Sequence, residues 1–256
     1  MASIARAGGL ITVDAAASAL REDRVQAAKA LARWTGQGWL KRIRRGLYTV
    51  VPLAVSPDAH VIEDAWQLVP TLFNGGYVGG ATAAHYWDLT EQLFRPVFVY
   101  TTAPVRQRDV AVQGASFVVR HLPTQFVFGT RSVWRDSVRV DISDVHRTIV
   151  DMLDDPAAGG GIRHVAGCLE AYLKRQDADP NKLVEYAERI GNGAVFKRLG
   201  FLTERAHGPE ALVAACKERL TAGLSKLDPS VPSPRVMRRW RLFLPDSWVD
   251  QGRSSL

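Results

Sequence analysis

The chain has 256 residues, of which 46% are hydrophobic and 23% charged, a composition typical of a globular protein. Nothing approaches the roughly 20 consecutive apolar residues of a membrane span, and the first residues lack the apolar run of a secretory signal. Two cysteines, Cys168 and Cys216, exclude a disulfide framework, are too few for a zinc site, and are expected to be buried free thiols. We therefore expect a cytoplasmic protein that has no cofactor and does not contact membranes.

The formal net charge of +7 is concentrated near the N-terminus. Residues 1–53 hold nine basic and three acidic side chains, a net charge of +6, whereas the other 203 residues hold 24 basic and 23 acidic ones. Such segregation of positive charge is typical of a module that binds a polyanion.

The first elements along the chain are two predicted helices. Residues 12–20 predict a short helix with Thr12 as its N-cap, and Asp23 is placed to cap a second helix over residues 24–37 that ends at Gly38. The helical period predicts that the second helix turns four apolar side chains toward a core, namely Val25, Ala28, Leu31 and Ala32. Its other side carries Arg24, Gln26, Lys29, Arg33 and Gln37.

A basic hairpin is predicted next. Residues 39–43 and 47–51 are strand-like runs joined at residues 44–46, although their alternation of apolar and polar residues is imperfect. The hairpin carries four cations, Lys41, Arg42, Arg44 and Arg45. The order helix, turn, longer helix and basic hairpin predicts a winged helix-turn-helix domain over residues 1–53.

This pattern predicts binding to double-stranded DNA. The second helix would enter the major groove, where Arg suits guanine and Gln suits adenine, and the small Ala27 and Ala30 would permit close approach. The hairpin cations would contact phosphates or the minor groove. The predicted DNA-binding residues are Arg24, Gln26, Lys29, Arg33, Lys41, Arg42, Arg44 and Arg45. The alternative is a protein-interaction module whose charges are only solvated.

After a linker at residues 52–57, residues 58–227 predict a larger mixed α/β domain whose second half is helical. Its predicted helices include residues 58–72, 77–89 and 145–153, the last capped by Asp144, and its predicted strands are residues 97–101, 116–121 and 138–142. From residue 162 to 227 the pattern is helical, with breaks at 179–180 and 191–193. Residues 228–256 predict an irregular, basic, proline-rich tail with one short strand at 240–244. The expected fold class is α+β.

Several segments of the chain resemble one family. They are Gly9-Leu10-Ile11-Thr12, the basic stretch ending in Arg45-Gly46-Leu47-Tyr48, the glycine-led segment 77–89, the Asp-x-x-Arg-Thr-x-x-Asp segment starting at Asp144, and Arg198-Leu199-Gly200-Phe201-Leu202. Over roughly residues 5–205 the chain resembles the AbiEi-family antitoxins of type IV toxin–antitoxin systems. The segment after Leu227 does not match the family pattern.

This resemblance implies a two-part protein. The winged helix would repress the protein's own operon by binding inverted repeats, with two copies acting on one operator, and the C-terminal domain would neutralise a cognate nucleotidyltransferase-like toxin. A non-enzymatic DNA-binding autorepressor and antitoxin is thus the leading hypothesis. A protein that sequesters the toxin directly, and a nuclease-like enzyme targeted by the winged helix, are the alternatives.

Other candidate sites have simpler structural explanations. Asp141, Asp144, His146 and Asp151 could hold a metal ion, but a strand end, a helix cap at Asp144 and a surface Asp151 explain them too, and Arg147 is spaced to pair with either Asp144 or Asp151. The glycine-rich run 75–80 lacks the spacing of known phosphate-binding loops and predicts a tight turn. His85 has no partner at ligand spacing. Lys197 and Arg198 could contact nucleic acid or an acidic partner, or belong to a solvated helix face.

Overall fold

In the computed structural model, which describes residues 10–51, 64–112 and 114–249, the chain begins with a small sheet and two helices. Strand β1 (Leu10–Thr12) leads into helix α1 (Val13–Leu20) and helix α2 (Arg24–Gly36). Strands β2 (Leu40–Arg44) and β3 (Leu47–Val50) form the predicted hairpin, and β3 pairs antiparallel with both β1 and β2. We call residues 10–51 the N-terminal unit.

Both predicted helix caps of the N-terminal unit are confirmed. The Thr12 hydroxyl accepts a hydrogen bond from the backbone N–H of Ala15 at 3.1 Å. The Asp23 carboxylate accepts from the N–H groups of Val25 and Gln26, both at 2.8 Å. These bonds satisfy donors that a helix cannot pair internally, and they fix where α1 and α2 begin.

The core of the N-terminal unit shows that α2 is rotated relative to the prediction. Ala27 and Leu31 are fully buried, whereas Val25 is 63% exposed and Ala32 is also exposed. The prediction that Val25 and Ala32 face the core is therefore wrong, as is the outward position of Ala27. The buried stripe of α2 runs through Ala27 and Leu31 to the partly buried Trp34. Because it includes this large aromatic ring, burying it removes more apolar area from water than burying the predicted stripe would.

A six-stranded mixed sheet forms the centre of the second part of the chain, by which we mean the described residues 64–112 and 114–249. Its strands are β4 (Tyr77–Val78), β5 (Val97–Thr101), β6 (Asp109–Val112), β7 (Ala115–His121), β8 (Thr130–Arg135) and β9 (Val138–Ser143). Their order in the sheet is β6-β7-β5-β4-β9-β8, in which β5 with β7 and β4 with β9 are parallel. A 3₁₀ turn at Ala65–Leu68, helix α3 (Val69–Leu72) and helix α4 (Gly80–Tyr86) accompany these strands.

The predicted strands at 97–101, 116–121 and 138–142 are confirmed as β5, β7 and β9. The helix predicted over 77–89 instead begins with β4, because Val78 pairs with both Val99 and Ile142 in the middle of the sheet. The predicted helix 58–72 is a 3₁₀ turn followed by α3, and its first residues, 58–63, lie outside the described part.

The helical half consists of α5 (Val145–Asp154), α6 (Ile162–Leu173), α7 (Pro180–Ile190), α8 (Gly193–Arg205) and α9 (Glu210–Glu218). Asp144 caps α5 as predicted, and the predicted breaks before Pro180 and at 191–193 separate α6, α7 and α8. Cys168 and Cys216 are buried free thiols, and burial raises the pKa of each to about 12.

The expected irregular tail instead folds onto the helical half. Strands β10 (Ser225–Lys226), β11 (Arg235–Met237) and β12 (Leu242–Leu244) form a three-stranded sheet in the order β10-β12-β11. Trp240 is 1% exposed and belongs to the same hydrophobic cluster as α5, α6 and α8. A Cβ atom placed on Gly200 of α8 would overlap the Trp240 ring, so this glycine makes room for the tail.

The described residues thus form a mixed arrangement of helices and sheets, as the α+β expectation requires. Leu10 and Leu47 extend the buried cluster on one side of the six-stranded sheet, so the N-terminal unit packs against the second part. None of the described helices has both the length and the apolar character needed to cross a bilayer.

Candidate nucleic-acid interface

The outward face of α2 carries a compact group of polar side chains. At about 100° per residue, Gln26, Lys29 and Arg33 fall within an arc of about 60° opposite the buried Ala27 and Leu31. All three polar side chains are exposed, as predicted. They can reach a single ligand surface at the same time.

Arg24 has a different environment from these three. It lies about 180° from Arg33 around the helix axis, and its guanidinium pairs with Asp14 of α1 at 2.9 Å. Both side chains of this pair are more than two-thirds exposed, so the pair adds little stability. Of the predicted group on α2, Arg24 is therefore the one that the structure separates from the others.

The hairpin that follows α2 carries exposed cations. Lys41, Arg42 and Arg45 are exposed, while the side chain of Arg44 lies outside the described part. The β2–β3 register shifts between Arg42 and Arg44, which is the pattern of a β-bulge. This irregularity interrupts the alternation of apolar and polar residues along the strand.

Backbone contacts hold the hairpin in place relative to the helices. The N–H of Val13 donates to the carbonyl oxygen of Gly46 at 3.2 Å, which joins the hairpin turn to the start of α1. At the other end, the N–H of Trp39 donates to the carbonyl of Trp34 in α2 at 3.0 Å. The cations of the hairpin are thus carried by an element fixed at both ends.

Two apolar side chains on this surface were missed from the sequence. Val25 lies on the outward side of α2, and Trp39, at the start of the hairpin, is 44% exposed. Once Ala27 and Leu31 are known to be buried, the helical period requires Val25 to point outward. No local pattern indicated the exposure of Trp39.

Lys197 and Arg198 do not lie on the surface. Lys197 is 2% exposed and donates to the carbonyl of Gly223 at 2.8 Å, and Arg198 is 4% exposed. The Arg198 guanidinium donates to carbonyl oxygens at the end of α5 and in β10, including Leu153 at 2.7 Å and Lys226 at 2.9 Å. The predicted partner or nucleic-acid contact is replaced by an internal one, in which Arg198 satisfies the free carbonyls at a helix C-terminus.

The acidic cluster is an internal network in this structure. Asp144 accepts from the backbone N–H of Arg147 at 2.7 Å and from the Tyr186 hydroxyl at 3.0 Å. Asp151, expected on the surface, is 2% exposed and pairs with Arg147 at 2.7 Å, while Tyr77 donates to its other oxygen at 3.0 Å. Burial raises the pKa of Asp151 to about 6 and raises that of Tyr77 as well.

Asp141 and His146 also have internal partners. Asp141 accepts a hydrogen bond from Ser132 at 2.6 Å, and His146 Nδ1 lies 2.7 Å from the Tyr172 hydroxyl, with burial lowering the pKa of the imidazole. No group of three or more potential metal ligands occurs within the residues that the structure describes. The glycine-rich run 75–80 forms close backbone packing: Gly80 has φ +55°, and a Cβ there would lie 2.5 Å from the carbonyl oxygen of Ala158.

A separate cleft of about 380 Å³ lies beside α4. Its lining includes Trp66, Tyr86, Leu93, Phe94 and Arg135. The Arg135 guanidinium lies 4.8 Å from the Trp66 ring centroid and is paired with an aspartate, so one wall is fixed. Leu93, on its rim, is 75% exposed. His85 also lines this cleft, with Nδ1 3.3 Å from the carbonyl oxygen of Thr90.

Comparison with known proteins gives a fold relationship. No family model matches the chain, and no curated protein matches it. Among solved structures, the crystal structure of the RV2827C protein from Mycobacterium tuberculosis is similar, with a TM-score of 0.58 and 16% sequence identity over 91% of this chain and 85% of that chain. This similarity extends over nearly the whole chain and concerns the fold alone.

Proposed function

We propose that the N-terminal unit is a winged helix-turn-helix that binds double-stranded DNA in a sequence-dependent way. The observation that carries this proposal is the outward face of α2, where the exposed Gln26, Lys29 and Arg33 lie together, followed along the chain by a hairpin with exposed cations. The segment that contains them holds a net charge of +6 out of +7.

The geometry of the two helices supports the proposal. Only residues 21–23 separate α1 from α2, a connection of the length found in helix-turn-helix motifs. A major groove about 12 Å wide admits one helix, and its base edges offer acceptors to Arg and Lys and a paired donor and acceptor to Gln. In this arrangement α2 enters the groove, and Lys41, Arg42 and Arg45 contact phosphates alongside.

The Asp23 cap further restricts how α2 binds. Because the carboxylate of Asp23 already accepts from the N–H groups of Val25 and Gln26, those donors are not available to a phosphate. Recognition by α2 therefore depends on side chains rather than on a phosphate held at the helix N-terminus.

We further propose, on the resemblance to AbiEi-family antitoxins, that the chain is a cytoplasmic autorepressor that reads inverted repeats in its own promoter and counters a nucleotidyltransferase-like toxin. Two copies would act on one operator, in keeping with the symmetry of an inverted repeat. The proposal is non-enzymatic, since Asp144 and Asp151 are engaged in a helix cap and a buried ion pair.

Binding to the promoter is the direct test. The full chain is titrated into a labelled duplex covering the sequence upstream of its coding region, and into a scrambled duplex of the same length, at ~150 mM salt. We expect at least a thousandfold preference for the promoter duplex, in the range of specific repressors, and a log–log salt slope of about −0.9 for each phosphate contacted. Equal affinity for both duplexes would contradict the proposal.

Substitutions separate base contacts from phosphate contacts. Arg33→Ala is expected to reduce the preference for the promoter, whereas Arg45→Ala is expected to weaken both duplexes alike and to lower the salt slope by about 1. Arg163→Ala is the matched control, because it removes the same charge from an exposed position on α6.

A second candidate function, direct capture of the toxin, is supported by the cleft beside α4. An exposed leucine on the rim of an aromatic cleft is the kind of surface that anchors a protein partner. In cells that express the toxin, Leu93→Glu is expected to abolish rescue of growth while promoter binding remains. Leu224→Glu, at another exposed leucine, is the control. Full rescue of growth by Leu93→Glu would show that the cleft does not capture the toxin.

A further inference from the structure

Val25 is an exposed aliphatic side chain at the start of α2. It is the second residue of α2 and is 63% exposed, at the end of the helix nearest the Asp23 cap. The helical period places Val25 and Ala32 on one side of Lys29, and Gln26 and Arg33 on the other. The outward face of α2 therefore has an apolar edge and a polar edge, divided by Lys29.

Only one base-edge group in the major groove matches an apolar edge. The C5-methyl of thymine is the apolar group exposed there, and the other groups are hydrogen-bond donors and acceptors. The first residues of a recognition helix are also those that reach base edges. An isopropyl group at the second position of α2 is thus located where it can contact a methyl group.

The side chain of Val25 is also conformationally restricted in a way that favours such a contact. In a helix, the branched Val side chain has one strongly preferred rotamer, so little conformational freedom is lost when it packs against a partner. The backbone N–H of Val25 is held by the Asp23 carboxylate at 2.8 Å, which fixes the helix start from which the side chain projects. Gln26 follows directly and has the amide group that pairs with adenine N6 and N7.

We infer that Val25 is a specificity-determining residue that contacts a thymine methyl in the operator half-site, next to an adenine bound by Gln26. This inference rests on the proposed function, because it requires α2 to lie in the major groove. It identifies the ligand more narrowly as a half-site with a T·A pair facing the N-terminal turn of α2.

Replacement of thymine by deoxyuridine tests the contact, because it removes the methyl and leaves the base pairing unchanged. Binding sites are first selected with the full chain from a random-sequence duplex library. Each thymine of the selected half-site is then replaced in turn, and the affinity is measured by fluorescence anisotropy at ~150 mM salt. We expect one replacement to weaken binding by about fourfold, equivalent to about 0.8 kcal/mol for one methyl group.

The Val25→Ala variant removes the protein side of the same contact, so that the two changes can be combined in a double-mutant cycle. It is expected to bind the thymine site more weakly than the native chain and to show no further loss at that one deoxyuridine position. Arg163→Ala, the charge control on α6, is expected to keep the fourfold effect. Thermal melting of Val25→Ala verifies its fold, which an exposed position should leave intact.

The outcomes separate this inference from the proposed function. Failure of the library to yield any preferred site would overturn both. A preferred site at which every deoxyuridine effect is the same in the native chain and in Val25→Ala would overturn the role of Val25 alone. Unchanged operator affinity of Val25→Ala, together with loss of toxin neutralisation, would also overturn it and assign the side chain to a protein contact.

Discussion

Replacing Gly200 by alanine tests whether the C-terminal segment belongs to the core of the helical half. Gly200 lies in α8, where an added Cβ would overlap the Trp240 ring and lie 2.9 Å from Cβ of Cys216. Apolar carbons normally approach to about 3.5–4.0 Å. The ring has little freedom to move away, because it is 1% exposed and its Nε1 donates to Glu204 at 2.7 Å.

The expected effect is the difference between two opposing contributions. Alanine in place of glycine within a helix favours folding by about 1 kcal/mol. Forcing an extra methyl group into a packed core costs about 1–3 kcal/mol, and losing the Trp240–Glu204 hydrogen bond costs about 1 kcal/mol more. We expect Gly200→Ala to lower the free energy of unfolding by about 2 kcal/mol, which corresponds to a fall in Tm of roughly 4–8 °C for a chain of this size.

Gly167 provides the matched control. It also lies within a helix, α6, but an added Cβ there has no other atom within 4 Å. Gly167→Ala should therefore raise the free energy of unfolding by up to about 1 kcal/mol, and the two variants should shift the urea midpoint in opposite directions. The double variant Gly200→Ala with Trp240→Phe, whose smaller ring leaves room for the methyl, should be more stable than additivity of the single changes predicts.

If Gly200→Ala raises the free energy of unfolding as much as Gly167→Ala does, the expected overlap with Trp240 is refuted. Such a result would mean that the tail does not pack on α8, and that the glycine in the Arg-Leu-Gly-Phe-Leu segment has another explanation.

Three further substitutions probe buried charge and capping. Burial raises the pKa of Asp151 to about 6, above its ordinary value of about 3.9. The folded state therefore binds a proton at this carboxyl more readily than the unfolded state does. As a result, the contribution of Asp151 to stability grows as the pH falls from 7 to 4.5. The gap in free energy of unfolding between the native chain and Asp151→Asn should therefore widen by about 2 kcal/mol over that range, and a constant gap in urea titrations would exclude the shift. Arg198→Met should lower the free energy of unfolding by roughly 3 kcal/mol, because it leaves carbonyl oxygens without donors. Its promoter affinity, measured below the melting transition, should equal that of the native chain. A loss of affinity in the folded variant would indicate that Arg198 contacts DNA. Asp23→Ala should destabilise α2 by about 1 kcal/mol, measured as roughly fivefold faster amide hydrogen exchange in that helix relative to α8, and unchanged exchange would contradict the role of the cap.

The sequence predicted the local features of the fold well, because their causes lie within a few residues. Thr12, Asp23 and Asp144 each accept a hydrogen bond from an N–H group two or three residues ahead. Such a bond depends on the residue type and its neighbours rather than on distant packing. The positions at which α1, α2 and α5 begin could therefore be predicted from the sequence alone.

Features that depend on distant partners could not be predicted in this way. The two residues of β4 become a strand only because β5 and β9 supply partners on either side. Edge strand β8 carries polar and charged residues without a clear alternation. Edge strand β6 has only four residues, too few for a clear strand pattern. The tail has four prolines, yet its strand partner β10 and its packing partner Gly200 lie earlier in the chain.

The candidate site was predictable in composition but not in orientation. The sequence identified α2 and the hairpin as the basic elements, and three of the four α2 residues predicted to bind DNA, namely Gln26, Lys29 and Arg33, share one exposed face. The rotation of α2 does not follow from the helical period alone, because apolar residues recur at helical spacing in both the stripe with Val25 and the stripe with Ala27. The choice between them depends on the packing of Trp34 and of the hairpin behind it. This rotation exchanges the roles of Val25 and Ala27.

The cations of this protein divide into two groups that composition cannot distinguish. Lys29 and Arg33 are exposed on α2, whereas Arg147 and Arg198 are buried with internal partners. Two of the segments on which the proposed relation to the AbiEi family rests, those containing Arg147 and Arg198, thus account for the packing of residues 64–249 rather than for a binding surface. Substitutions there measure stability, so tests of DNA binding and of toxin neutralisation have to be made at exposed positions such as Arg33 and Leu93, where a loss of function is not confounded with unfolding.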